Sequence, residues 1–262
     1  MQFSHKNQIL QITGYLIFES EQILQLLNKQ STDEPLFRFN FFMLVRLHEA
    51  LLGIEILLTR DDHRPLLYSF INILRPILID MAYSGTLHKI FNNKTLTVES
   101  ILKAAKYINE LLISEANKVK SYAKKTSHRM GVDWTVEVEN YKTNLNQTFL
   151  KYYSNIDSVT NEYPLQIEKI FENAEKDLPH LLEVWDTYKV YSQMTHINDF
   201  YGEQQKKPLD IKSTSIYLGL MHCIDHFVII IRTMSCLPNH QNLLIDKYNK
   251  ILVSVETLKS KL

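Results

Sequence analysis

Apolar residues recur every three or four positions along almost the whole chain, and only 6 glycines and 7 prolines interrupt its 262 residues. That period matches the 3.6-residue turn of an α-helix rather than the two-residue alternation of a strand. Scarce glycine and proline leave few tight turns, so long helices with short connections are predicted. The expected fold is all-α: a single bundle of about eight or nine helices over residues 1–262, with residues 113–165 as a candidate insertion. No internal repeat or low-complexity linker divides the chain.

Helices are predicted near residues 7–29, 39–59, 65–91, 97–122, 133–155, 161–175, 178–200, 210–236 and 240–262, with residues 132–138 also fitting a short strand. Residues 39–59 form the most apolar of these. Their polar side chains fall in two narrow arcs, so this helix is expected to be buried on most sides. Pro76 lies inside the next helix. It removes the N–H that would bond the Asn72 carbonyl, so a kink is predicted there.

Apolar residues make up 45% of the chain, enough for a continuous core. Lysine plus arginine is 29 and aspartate plus glutamate is 29, a formal charge of zero. A protein that coats nucleic acid is usually basic overall. Cys223 and Cys236 fit reduced, buried thiols better than a disulfide framework. The first residues lack the charged start and apolar run of a signal peptide. The most apolar late segment, residues 216–231, contains His222, Asp225 and His226, where a membrane span carries few or no charges. A cytoplasmic chain that does not enter the membrane is expected.

Function is sought where polar groups interrupt apolar helices, because an unpartnered buried polar group is costly. Arg46 and Glu49 are three apart, hence neighbours on one helical face, and fit an intrahelical ion pair. Asn72 and Arg75 share a face, with Tyr68 beside them, and the arginine fork can anchor the kink or meet a phosphate or carboxylate. Asp80 lies about 140° round the helix from Arg75, too far to be its partner. Tyr188, Ser192, Thr195 and Asp199 form a polar stripe flanked by Tyr191, His196 and Asn198. Ser192 and His196 fit either a nucleophile–base pair or an interhelical hydrogen-bond network; no acid is placed behind the histidine. His222 and His226 are four apart and can share a metal, but the glutamate of a zinc-protease motif is replaced by Cys223. Lys118, Lys120, Lys124, Lys125 and Arg129, interleaved with Tyr122 and His128, fit a phosphate track or a solvated helix end. No glycine-rich phosphate loop, dinucleotide fingerprint or paired-cysteine zinc motif occurs, so no cofactor is expected.

Two stretches carry a resemblance: residues 41–58 (FFMLVRLHEALLGIEILL) continuing to 73–80 (ILRPILID), and residues 188–196 (YKVYSQMTH). Together they resemble a group of bacterial helical proteins of the DUF5677-like type, which carry an arginine closely followed by an acid in a core helix and, later, a Tyr…Ser…His segment. The resemblance implies an all-α bacterial cytosolic protein and no particular activity. It matches Arg75 to the arginine, and Tyr188 or Tyr191, Ser192 and His196 to the later segment. Ile79 stands where the acid usually does, with Asp80 one place late. Such proteins also look broadly like HEPN helical bundles, many of them RNases of toxin–antitoxin and phage-defence systems. The HEPN spacing of arginine, four to six residues, then histidine does not occur here.

The leading expectation is therefore a helical binding or interaction module, a component of a bacterial defence or toxin–antitoxin-like regulatory system, acting as a homo-oligomer or with a partner protein. Its candidate binding residues are Arg46, Glu49, Asn72, Tyr188, Tyr191 and Asn198. The alternatives are a metal-independent RNase using Arg75, Ser192 and His196, with RNA as ligand, and a metal site at His222 and His226.

Overall fold

The computed structural model describes residues 6–29, 33–59, 67–91, 97–130, 134–177, 180–195, 209–237 and 241–259. Among them are nine α-helices and no strand: α1 (Lys6–Asn28), α2 (Pro35–Thr59), α3 (Leu67–Phe91), α4 (Val98–Met130), α5 (Thr135–Tyr152), α6 (Ile167–Asp177), α7 (His180–Thr195), α8 (Leu209–Ser235) and α9 (Gln241–Lys259). The all-α bundle expected from periodicity is the observed fold. The strand considered for residues 132–138 does not form, since Thr135 to Val138 are the first turn of α5.

Local chemistry explains where the helices begin. Pro35 occupies the first position of α2, where its missing N–H is harmless. The Glu34 carboxylate accepts from the Leu36 N–H at 2.9 Å and the Phe37 N–H at 2.6 Å, satisfying two donors that the first turn leaves open. This cap starts α2 four residues before the predicted position. Thr97 starts α4 by a reciprocal exchange: the Ser100 N–H donates to Thr97 Oγ1 and the Thr97 N–H to Ser100 Oγ, each at 3.1 Å. Pro76 lies inside α3 without ending it.

The central helices are α3 and α8. Helix α3 packs against α2, α4, α6, α7 and α8, and from residue 80 to residue 88 every side chain is buried. Helix α8 packs mainly on α3 and α9 and also meets α2. Its stretch Ile216–Ser235 is long and apolar enough to cross a membrane, and 67% of that window is buried within the bundle, as in a core helix. The expectation that α2 is buried on most sides is corrected. Its inner face is buried from Leu36 to Leu58, but Phe42, Leu52 and Ile56 are exposed on the outer face. A helix takes the central place because neighbours surround it, and apolar composition alone does not choose between α2 and α3.

Helices α4 and α5 form a hairpin stitched by the Asn109 amide donating to Asn146 Oδ1 at 3.0 Å and by Lys120 on Glu139 at 2.6 Å. Beyond Ala116 on α4 and before Phe149 on α5, none of the described side chains is buried. This stretch lies within residues 113–165, but Ala116, Phe149 and Ile156 of that span are buried in the core.

Candidate functional site

A polar cluster joins α2, α3 and α8. Arg46 of α2 places Nε 3.2 Å from Oδ2 of Asp80 on α3. The arginine side chain is 51% exposed, whereas that of Asp80 is 2% exposed, so the pair runs from the surface into the core. Burial pushes the Asp80 carboxyl up to about 7, against the opposing pull of Arg46. One turn further along α3, Ser84 Oγ lies 3.1 Å from Nε2 of His226 on α8. His226 is fully buried, and its Nδ1 has no hydrogen-bond partner among the described residues. Burial, aided by the Arg46 charge, holds its imidazole down to about 3, so it is neutral.

A second seam lies between α7 and the central helices. Tyr188 points its ring at Arg75, whose Cζ is 5.4 Å from the ring centroid and whose Nη2 is 3.5 Å from the phenol oxygen. Phe171 of α6, Trp185 and Tyr188 are nearly parallel, with neighbouring centroids 4.7 and 5.6 Å apart. Lys189 Nζ covers Trp185 at 4.8 Å. The Thr187 hydroxyl donates to the Glu183 carbonyl at 2.8 Å, so its oxygen is left to accept from His222 Nε2 at 3.1 Å. Tyr191 is buried, and its hydroxyl rests against α8 at Gly219. A Cβ at Gly219 would lie 2.5 Å from that hydroxyl and 2.6 Å from Leu74 Cδ1, so only glycine permits this approach. Burial pushes the neighbouring Cys223 thiol up to about 12, which makes it inert.

The sequence-derived candidates separate on this framework. Arg75 and Tyr188 meet, and half-buried Ser192 lies one turn beyond Tyr188 on α7. His196, Asn198 and Asp199 lie outside the described residues, as does the side chain of Thr195. The intrahelical pairing of Arg46 with Glu49 is corrected: Arg46 crosses to Asp80, and Glu49 is exposed. Two helices packed side by side bring Arg46 closer to an acid on α3 than the spacing within α2 suggests. Asn72 is exposed on α3. His222 and His226 face different helices, one at Thr187 of α7 and the other at Ser84 of α3. No group of three or more metal-ligating side chains occurs among the described residues. In the basic run, Lys118 pairs with Glu115 and Lys120 with Glu139, while the side chains of Lys125, His128 and Arg129 lie outside the described residues.

Asp80, Ser84, Thr187 and Gly219 escaped the sequence reading as site residues. One signal was present: Asp80 and Ser84 are four apart on a mostly apolar helix, hence on one face. Compared with protein-family models, curated proteins and solved structures, the chain matches none.

Proposed function

We propose that this protein is a helical interaction module that works by docking the outer face of α2 against another protein surface. The observation that carries the reading is the exposure of Phe42 at 54%, Leu52 at 36% and Ile56 at 60%, on a helix whose opposite face is core. Large apolar side chains grouped on one face mark interaction surfaces more often than isolated ones do. The exposed Tyr122, Trp134 and Val136 of the α4–α5 hairpin give a second apolar region of the same kind.

Binding is favoured over catalysis by the state of two of the described core imidazoles. His222 and His226 are both buried, and each directs Nε2 to a hydroxyl of a neighbouring helix. An acid–base catalyst needs its nitrogen within reach of a substrate proton.

The test compares tagged wild type with a Phe42→Glu, Ile56→Glu variant, each expressed in its native cells and cross-linked before purification. Wild type is expected to retain one stoichiometric companion chain, either another protein or an untagged copy, and the variant to lose it. Wild type recovered alone would overturn the reading.

A further inference from the structure

The outer face of α2 carries charges as well as apolar groups, and their order along the helix identifies an occupant. Arg38, Phe42, Arg46, Glu49, Leu52 and Ile56 are all exposed. At 100° per residue they fall within an arc of about 120°, a single stripe. Arg46 Nε lies 3.2 Å from Asp80 Oδ2, and about half of the arginine side chain remains exposed, at 51%.

Two such stripes fit one another in only one sense. In a two-fold pairing with the helices parallel, each residue meets its own copy, and Arg46 opposes Arg46. In the antiparallel sense, about a point between Leu47 and His48, Arg46 of each copy meets Glu49 of the other, twice over. The same register sets Phe42 level with the second copy's exposed Leu52 and Ile56. Opposite charges at matched positions fix register and orientation. With 29 basic and 29 acidic residues, two copies carry no net charge to repel one another.

Resting on the interaction-module reading above, we infer that the partner of α2 is a second copy of this chain, packed antiparallel on the Phe42–Arg46–Glu49–Ile56 stripe with reciprocal Arg46–Glu49 pairs. Asp80 then acts as the buried post that aims Arg46 at the second copy.

Sedimentation velocity across a concentration series up to roughly 100 μM spans the affinity expected of an interface at the small end of the stable range. Wild type is expected to dimerise. Glu49→Arg alone and Arg46→Glu alone each place like charges opposite one another twice, and each is expected to weaken the dimer by roughly tenfold or more. An equimolar mixture of the two variants restores both pairs in a heterodimer, and dimer is expected to return. Circular dichroism checks that each variant is folded. If Arg46→Glu fails to fold through loss of the Asp80 contact, Glu49→Arg and Ile56→Glu, both at exposed positions, must each still weaken the dimer.

A monomeric wild type overturns the second-copy inference. So does a dimer indifferent to Glu49→Arg and Ile56→Glu, or a mixture of folded variants without rescue. A monomeric wild type that still captures a companion in cells, and loses it on Phe42→Glu, Ile56→Glu substitution, leaves the interaction reading standing and removes only the second copy.

Discussion

Arg46 and Asp80 belong to different helices, lie 3.2 Å apart, and differ sharply in exposure, 51% against 2%. A half-solvated cation thus faces a carboxyl that burial drives toward neutrality, and burial is the larger effect on Asp80. Fully buried His226, one helix away, is also driven to its neutral form.

The buried acid gives a pH dependence with a definite sign. Asp80 holds its proton up to about 7 when folded, against an ordinary value of 3.8. Between these values the folded state binds the extra proton, so this group's contribution to stability is complete below about 4 and is lost as pH rises toward 7. Asp80→Asn removes it. The variant's stability relative to wild type is expected to climb between pH 4 and pH 7, by about 4 kcal/mol at most, and then to stay level. Urea denaturation at a series of pH values measures this. Parallel curves for the two proteins would rule out a titrating Asp80, since the other carboxylates are common to both.

The buried imidazole acts in the opposite direction. His226 refuses a proton down to about 3, against 6.5 when free. The unfolded chain takes that proton first, so stability is lost as pH falls from 6.5 toward 3. In wild type this slope offsets that of Asp80 between about 4 and 6.5, and the two groups together leave a flat region. His226→Gln can keep a polar group on Ser84 without titrating. Its stability is expected to fall with rising pH over this window, whereas that of Asp80→Asn rises. Equal slopes in the two variants would contradict the assignment.

Gly219 should tolerate no side chain. Leu74 and Tyr191, the groups a Cβ would strike, are themselves buried and have little room to move. Gly219→Ala is expected to lower stability by about 1–3 kcal/mol, as overpacking of a core does. Adding Tyr191→Phe removes the oxygen at 2.5 Å, so the double variant should lose less than the sum of the two single losses. A thermodynamic cycle from urea midpoints reads this directly, and simple additivity would show that the hydroxyl is not the obstacle.

The RNase alternative separates from the interaction reading by one assay. Wild type and an Arg75→Ala, His196→Ala variant are incubated with total RNA and tRNA without added metal. Both are expected to leave the RNA intact, as judged on a denaturing gel. Cleavage by wild type alone would place the protein among the enzymes and make the Arg75–Tyr188 seam its candidate site.

Periodicity alone was enough to determine the all-α fold, because a 3.6-residue apolar repeat can bury its face only as a helix. Thr97 marked the start of α4, whereas the Glu34 carboxylate starts α2 at Pro35, four residues before the apolar spacing does. Spacing also excluded Asp80 as a partner for Arg75, since residues five apart face different ways. What spacing cannot carry is the identity of a neighbour from another helix. Glu49 stands three residues from Arg46 in the chain, yet packing of α2 on α3 gives that arginine to Asp80 instead. In the same way only the packing of α7 and α8 shows that Gly219 makes room for Tyr191, and only the packing of α3 and α8 sets Ser84 on His226. The sequence determined which residues lie along each helix face; tertiary structure decided which faces meet, because contacts between helices depend on their relative placement and on what the neighbouring helix presents.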